Sequence, residues 1–431
     1  MATRPSKEEI AAAVEKVFEE AVAMLSELVA IDSTLNHETA AVAFMEARFK
    51  EAGLATDRFP VVLDDLRSLP GFSPVDWSYE GKECVVGVHR PRLPPQGKSL
   101  ILNGHLDVVP TGPADMWTGG PFKVRVADGR LYGRGSGDMK AGIIAYYMAF
   151  RALRSIGFVP AAEVIMQAVV EEEITGNGAL ACCARGYKAD AAIIPEPFAG
   201  TILTAQLGVM WLQISVRGRP AHVLNTSAGI NGIEAAYYLY DALRKVEAKW
   251  NTEEERKACP QSKPYDSNPH PINFNLGVIH GGEWASSVPT ECKFEARVGL
   301  FPGKKLEAAR KEVEEAVAAA AQAKDIHYNL TWTGFQAEGC LMDPSGDMMQ
   351  RLGQAHKAVS GKEPVYSPVT CTTDVRFFEL YYGIPATCYG PEATNIHGID
   401  ESVSLDSVKE VMKTLAVFMA DWCGLEPIAD N

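Results

Sequence analysis

Between residues 99 and 194 short apolar runs alternate with helical stretches, and this alternation restricts the fold more than any other feature of the chain. Residues 99–103, 163–170 and 191–194 read as buried strands, whereas 142–155 and 178–186 read as helices. Strands alternating with helices predict βαβ units around a mixed, largely parallel sheet with helices on both faces, an α/β fold. Two helices are predicted ahead of it. In residues 7–30, Ile10, Val14, Val17, Ala21, Met24 and Leu28 recur at helical spacing, and residues 40–52 form a second helix stopped by Gly53. Residues 60–96, rich in Pro, Gly and Asp, predict short strands between long loops.

The middle of the chain changes character. A strand over 209–216, a helix over 232–248, strands over 274–280 and 292–298, a helix over 304–323 and a strand over 326–332 follow in order. The order β-α-β-β-α-β describes a small α+β sheet with two helices on one face. The α/β pattern then resumes, with a helix over 346–360 and a strand over 386–389. The simplest partition is a large domain built from residues 1–208 and 335–431, interrupted by a unit over 209–334. Within that unit, residues 251–271 read as a long proline-bearing loop.

At 431 residues the chain exceeds one ordinary domain, and its 47% hydrophobic and 22% charged residues are ordinary for a soluble globular protein. A formal net charge of −14 argues against nucleic-acid and acidic-membrane partners, because the long-range field repels phosphate. Residues 1–9 carry charge without an apolar core, so no secretory signal is visible, and no apolar run approaches the ~20 residues of a membrane helix. The nine cysteines are scattered without CxxC pairs. Buried reduced thiols in a cytoplasmic protein are the expectation, with none of them a metal ligand.

Five short segments carry chemistry. In Asn103-Gly104-His105-Leu106-Asp107, His105 and Asp107 lie two apart on a strand and so share a face. A metal-bound imidazole usually gives its other N–H to a carboxylate, although an isolated His-x-Asp is commonly incidental. The glycine-rich loop 133–140 suggests a phosphate cradle, but it carries Asp138 where a carboxylate would repel pyrophosphate. Asp138 reads better as a metal ligand, with a helix N-cap as the alternative. Glu171, Glu172 and Glu173 follow a strand directly. Three adjacent carboxylates are costly inside a fold unless a cation compensates them, and a solvated loop is the other reading. Glu196 stands between two prolines after the next strand, and His397 lies in the segment 395–401. Open α/β sheets place their sites beyond the carboxyl ends of strands. Together these segments supply two His and three carboxylates, a donor set for paired zinc, cobalt or manganese.

The segments NGHLDVVP, GRGSGDMKAG, VEEEITGNGA, PEP and NIHGIDE stand in an order that resembles the co-catalytic zinc amidohydrolases. That family contains acetylornithine deacetylase, succinyl-diaminopimelate desuccinylase and carboxypeptidase G. The resemblance covers nearly the whole chain. It implies one metal on His105, Asp138 and Glu196 and a second on Asp138, Glu173 and His397, the Asp138 carboxylate bridging. It further implies Asp107 as the group that orients His105, and Glu172 as general base toward a metal-activated water. The inserted unit would be a lid that pairs with a second copy. On it, His222 in Gly218-Arg219-Pro220-Ala221-His222 would stabilise the oxyanion, and Asn231 would contact substrate. Arg376 in Thr373-Asp374-Val375-Arg376-Phe377 is the candidate for gripping a substrate carboxylate, with a structural ion pair as the alternative. The implied reaction is hydrolysis of the amide of a small N-acyl amino acid. A dipeptidase or carboxypeptidase, a deformylase or other C–N hydrolase, and a non-catalytic metal-binding relative are the competing readings.

Overall fold

A computed structural model describes residues 4–428. The chain enters through the helix Lys7–Val29, whose start is set by a capping box: the Ser6 side chain accepts the Glu9 N–H, and the Glu9 carboxylate accepts the Ser6 N–H. Its apolar stripe, with Ile10, Val14, Leu25 and Leu28 buried, packs against the helices Ala141–Ser155 and Leu405–Trp422. The last of these does not figure in the sequence reading, although Ser404 caps it and Val408, Val411, Leu415 and Phe418 repeat at helical spacing.

The central sheet has six strands in the order Ala55–Pro60, Glu83–His89, Val164–Val169, Leu100–His105, Ala192–Ile194 and Ala386–Cys388. The last four run parallel and the first two join antiparallel, giving the mixed, largely parallel sheet expected. Leu100–His105 and Val164–Val169 are buried throughout, which is why they read as continuous apolar runs rather than alternating ones. Helices cover both faces. Gly87 and Gly104 sit opposite Met166 and Ala168, on one face, and there they meet Phe49 and Ile143 of the helices Thr39–Glu51 and Ala141–Ser155. Cys84, one residue out of phase, points to the other face and its thiol donates to the Gly178 carbonyl of the helix Asn177–Ala184.

The β-α-β-β-α-β segment forms its own antiparallel sheet, ordered Phe274–Gly281, Glu291–Leu300, Gly208–Arg217 and His327–Ala337. The helices Gly232–Trp250 and Leu306–Lys324 pack together over it around a separate core that includes Leu212, Ile214, Leu239, Phe294 and Val313. The segment read as a loop holds the helix Glu253–Ala258, capped by Thr252, and a 3-10 turn at Pro260–Tyr265. A further small sheet, ordered Ala393–Thr394, Ser402–Ser404, Arg130–Tyr132 and Arg125–Ala127, brings together two loops far apart in sequence. All nine cysteines are free, and seven of them are buried. Among the described residues no helix is long and apolar enough to cross a membrane.

Candidate metal centre

Three strands of the central sheet end at one place. His105 closes the strand Leu100–His105, Glu172 and Glu173 follow Val164–Val169, and Glu196 follows Ala192–Ile194. The remaining two ligand candidates come from the small sheet: Asp138 follows Arg130–Tyr132, and His397 lies in the turn joining Ala393–Thr394 to Ser402–Ser404. The Asp138 turn can approach the Glu196 strand because Gly142 has no side chain; a Cβ there would stand 2.2 Å from the Pro195 carbonyl.

The two oxygens of Asp138 face different imidazoles. Oδ1 lies 3.1 Å from His105 Nε2, and Oδ2 lies 3.4 Å from His397 Nε2. On the first side, His105 Nε2 is also 3.7 Å from Glu196 and 3.9 Å from Glu172. On the second side, His397 Nε2 is 3.1 Å from Glu173. Ligand atoms of His105, Asp138 and Glu173, and of His105, Glu172 and Glu196, lie within 4.8 Å of one another in each group.

The electrostatics describe a cation site. Burial, joined by the neighbouring Asp138 charge, pushes Glu196 well above the usual carboxylate range. Burial likewise pushes up Glu172, with Asp374 and Glu173 adding to it, and Glu173, with Asp138 adding to it. Burial opposes charge on the imidazoles too, yet the carboxylates overcome it: Asp138 leads in raising His105 and Glu173 in raising His397, the latter to about 11. Asp138 is held far below its ordinary value against burial by its bonds to both rings. A field that keeps protons on two imidazoles also favours divalent cations in their place, and metal binding would release those protons. The Glu172 Oε1 atom is buried without a hydrogen-bond partner. Imidazole and carboxylate donors on two sides of one carboxylate fit a metal centre, and the unpartnered Glu172 oxygen fits a group poised for protons.

Asp107 supports this cluster differently from expectation. His105 Nδ1 is 2.9 Å from the Asp107 carbonyl oxygen and 3.6 Å from its carboxylate. The carboxylate instead accepts the Glu172 N–H at 3.2 Å and the Glu173 N–H at 3.1 Å.

Three other predicted residues are engaged by other partners in the fold. Arg376, expected to grip a substrate carboxylate, is 1% exposed. Its guanidinium donates to the Thr373 and Thr175 carbonyls at 2.8 and 2.9 Å and stacks on Phe377, so the interior uses the fork that a substrate would need. Asn231 caps the helix Gly232–Trp250, its side-chain oxygen accepting the Ile233 and Glu234 N–H groups. His222 is exposed on the four-stranded unit, its Nδ1 accepting the Leu224 N–H.

The sequence reading overlooked several supports. Glu171, in left-handed conformation with φ of 70°, bonds Lys82, Tyr79 and Trp77, and Lys82 also pairs with buried Glu38. Arg297 of the strand Glu291–Leu300 is half-buried, and burial pushes its pKa down. It donates only to the Asn273 and Thr370 carbonyls among the described residues. The adjacent Cys371 thiol is pushed up by burial and by the charges of Glu196 and Glu172, and the Arg297 charge acts on it in the opposite direction. An arginine without a carboxylate partner is a signal visible only once the fold shows what surrounds it.

Residues 101–421 match Peptidase family M20/M25/M40, and the chain belongs to that family. It is a metallohydrolase of amide bonds. The chain is 27% identical over 370 residues to an N-formyl-4-amino-5-aminomethyl-2-methylpyrimidine deformylase of Halalkalibacterium halodurans, covering 80% of this chain and 84% of that one. It is 29% identical over 329 residues to a succinyl-diaminopimelate desuccinylase of Acidovorax ebreus, covering 72% and 77%. In fold it is similar to the dipeptidase Dug1p of Saccharomyces cerevisiae, with a TM-score of 0.81, 15% identity, and coverage of 98% of this chain and 99% of that one.

Proposed function

We propose that this chain is a two-metal hydrolase of small N-acyl amino acids or related amides, holding one cation on His105, Asp138 and Glu196 and a second on Asp138, Glu173 and His397. The observation that carries the reading is the Asp138 carboxylate, whose oxygens stand 3.1 and 3.4 Å from two different imidazoles. Zinc suits the mixed imidazole and carboxylate donors, and cobalt or manganese suits them nearly as well. When bound, such ions polarise the amide carbonyl and acidify a water.

The protein's own groups then do the following. Glu172, lying 3.9 Å from His105 and outside both ligand sets, takes the proton of the attacking water and delivers it to the departing amine. Its burial beside the ligand cluster suits a group that must take up one proton and hand it on. Asp107 holds the turn bearing Glu172 and Glu173. Arg297 replaces Arg376 as the group for a substrate carboxylate, because its guanidinium is half-buried where that of Arg376 is closed off, and it flanks the loop at Thr370. The unit over 209–334 acts as a lid and joins a second copy, which would bring His222 to an oxyanion and Asn231 to substrate. Nine free thiols support a reducing, cytoplasmic setting.

The test is metal content by plasma mass spectrometry together with hydrolysis assays before and after chelation. The panel should contain N-formyl, N-acetyl and N-succinyl amino acids, formamides without a carboxylate, and dipeptides. Two ions per chain and chelator-sensitive cleavage of N-acyl amino acids are expected. Activity indifferent to chelation would remove the metal mechanism, and cleavage of dipeptides alone would make the chain a peptidase.

A further inference from the structure

The glycine-rich turn 133–138 has the shape of an anion cradle, and the chain fills it with its own carboxylate. Glu401 is fully buried. Its Oε2 accepts Arg134 Nη1 at 2.6 Å and the Gly135 N–H at 3.1 Å. Its Oε1 accepts the Gly137 N–H at 2.9 Å and the Asp138 N–H at 3.1 Å. The Glu401 carbonyl accepts the Gly133 N–H as well. Three main-chain N–H groups of one turn converge on this carboxylate as on a bound anion, and bonds to an ionised acceptor are the stronger kind. Gly137 cannot carry a side chain here, since a Cβ would lie 2.4 Å from that of Ala393.

Glu401 also ends the turn that presents His397. That turn is itself strained into place: His397 and Asp400 have φ of 61° and 53°, and the Asp400 carboxylate is held by the Thr118 N–H and hydroxyl. One side chain therefore ties the main chain of Asp138 to the loop of His397. His105 and Glu196 come from the ends of central strands, and among the described residues no hydrogen bond or ion pair joins Glu401 to either.

We propose that Glu401 is a positioning residue that fixes Asp138 against His397 and thereby sets the affinity of the half-site formed by Asp138, Glu173 and His397. The proposal rests on the two-metal reading. Loss of Glu401 displaces His397, which serves only that half-site, whereas the other half-site keeps two of its three ligands on the sheet.

The experiment is a titration of metal-free protein with Co2+, followed by calorimetry and visible absorption, in wild type, Glu401→Gln and Arg134→Lys. Glutamine keeps the shape but turns an NH2 group toward one of the paired donors. The second equivalent of Co2+ should weaken about 10–100-fold in Glu401→Gln and the first by less than about 3-fold, with a smaller shift of the same kind in Arg134→Lys. Equal weakening of both equivalents, or unchanged titration, overturns the proposal. If Glu401→Gln fails to fold, Arg134→Lys decides, and a wild-type second site in that variant overturns it. A wild-type protein that binds one ion per chain defeats the two-metal reading and takes this proposal with it.

Discussion

One oxygen of the Asp107 carboxylate accepts the Glu172 main-chain N–H at 3.2 Å. The other takes the Glu173 N–H, while the Asp107 carbonyl lies 2.9 Å from the His105 ring, so one residue positions groups from two strands. Asp107→Asn removes one acceptor and faces a main-chain N–H with another donor. We expect kcat to fall about 10–100-fold with metal content retained, as for other groups that orient ligands. Steady-state kinetics with metal analysis on the same preparation check this. A kcat within twofold of wild type would refute the link.

In the proposed two-metal reading Glu172 stands outside both ligand sets, and its Oε1 is buried without a partner. Glu172→Gln preserves its volume but cannot take a proton. Turnover should drop about 10²–10⁴-fold while both ions remain bound. Loss of metal along with activity would instead make Glu172 a ligand, and turnover within tenfold of wild type would end its role as base.

The contrast between residues found and residues missed has a physical basis. His105, Glu172, Glu173 and Glu196 are legible because each stands at or just past the end of an apolar strand of a parallel sheet, where the fold itself gathers strand ends. Asp138 and His397 stand on the small sheet, whose strands of two and three residues leave no periodic trace; only their motifs gave them away. Glu401 was in plain view beside His397, but its partners lie some 265 positions earlier in the chain, and nothing local reveals such pairing. The proposed reassignment of Arg376 rests on what no sequence pattern carries: a guanidinium's worth depends on its surroundings, here two buried carbonyls and the Phe377 ring. The helix Leu405–Trp422 had both a cap and a periodic stripe and was available to the same reasoning that found Lys7–Val29.

Arg376 offers a direct check of that reassignment. Both Asp374 oxygens are buried without hydrogen-bond partners, and the guanidinium 3.9 Å away is the charge that compensates them. Arg376→Ala leaves Asp374 and two carbonyls unpaired in the interior, a class of change that costs roughly 3–5 kcal/mol. A marked fall in the unfolding midpoint is expected, with KM rising equally for amides with and without a carboxylate. Arg297→Ala should do the reverse, leaving the midpoint near wild type and raising KM at least tenfold for carboxylate-bearing amides alone. A carboxylate-selective KM defect in Arg376→Ala would restore the original assignment.

Glu379 supplies a pH dependence well away from the metal centre. Burial pushes its carboxyl up to about 7, against the Ala386 N–H that it accepts at 2.7 Å. Below the ordinary glutamate value, near ~4.3, folded and unfolded chains both hold the proton and the fold has its full stability from this group. As pH rises toward 7 the unfolded chain ionises first, so stability drains away through that window and levels off above it. Glu379→Gln keeps the acceptor for Ala386 and removes the ionisation. Its unfolding midpoint, relative to wild type, should therefore climb between pH 4.5 and pH 7, reaching a gain of roughly 1–3 °C at pH 8. Thermal unfolding of both proteins across that range, at fixed metal and salt, gives the comparison. Parallel curves would mean that Glu379 titrates as an ordinary exposed carboxylate.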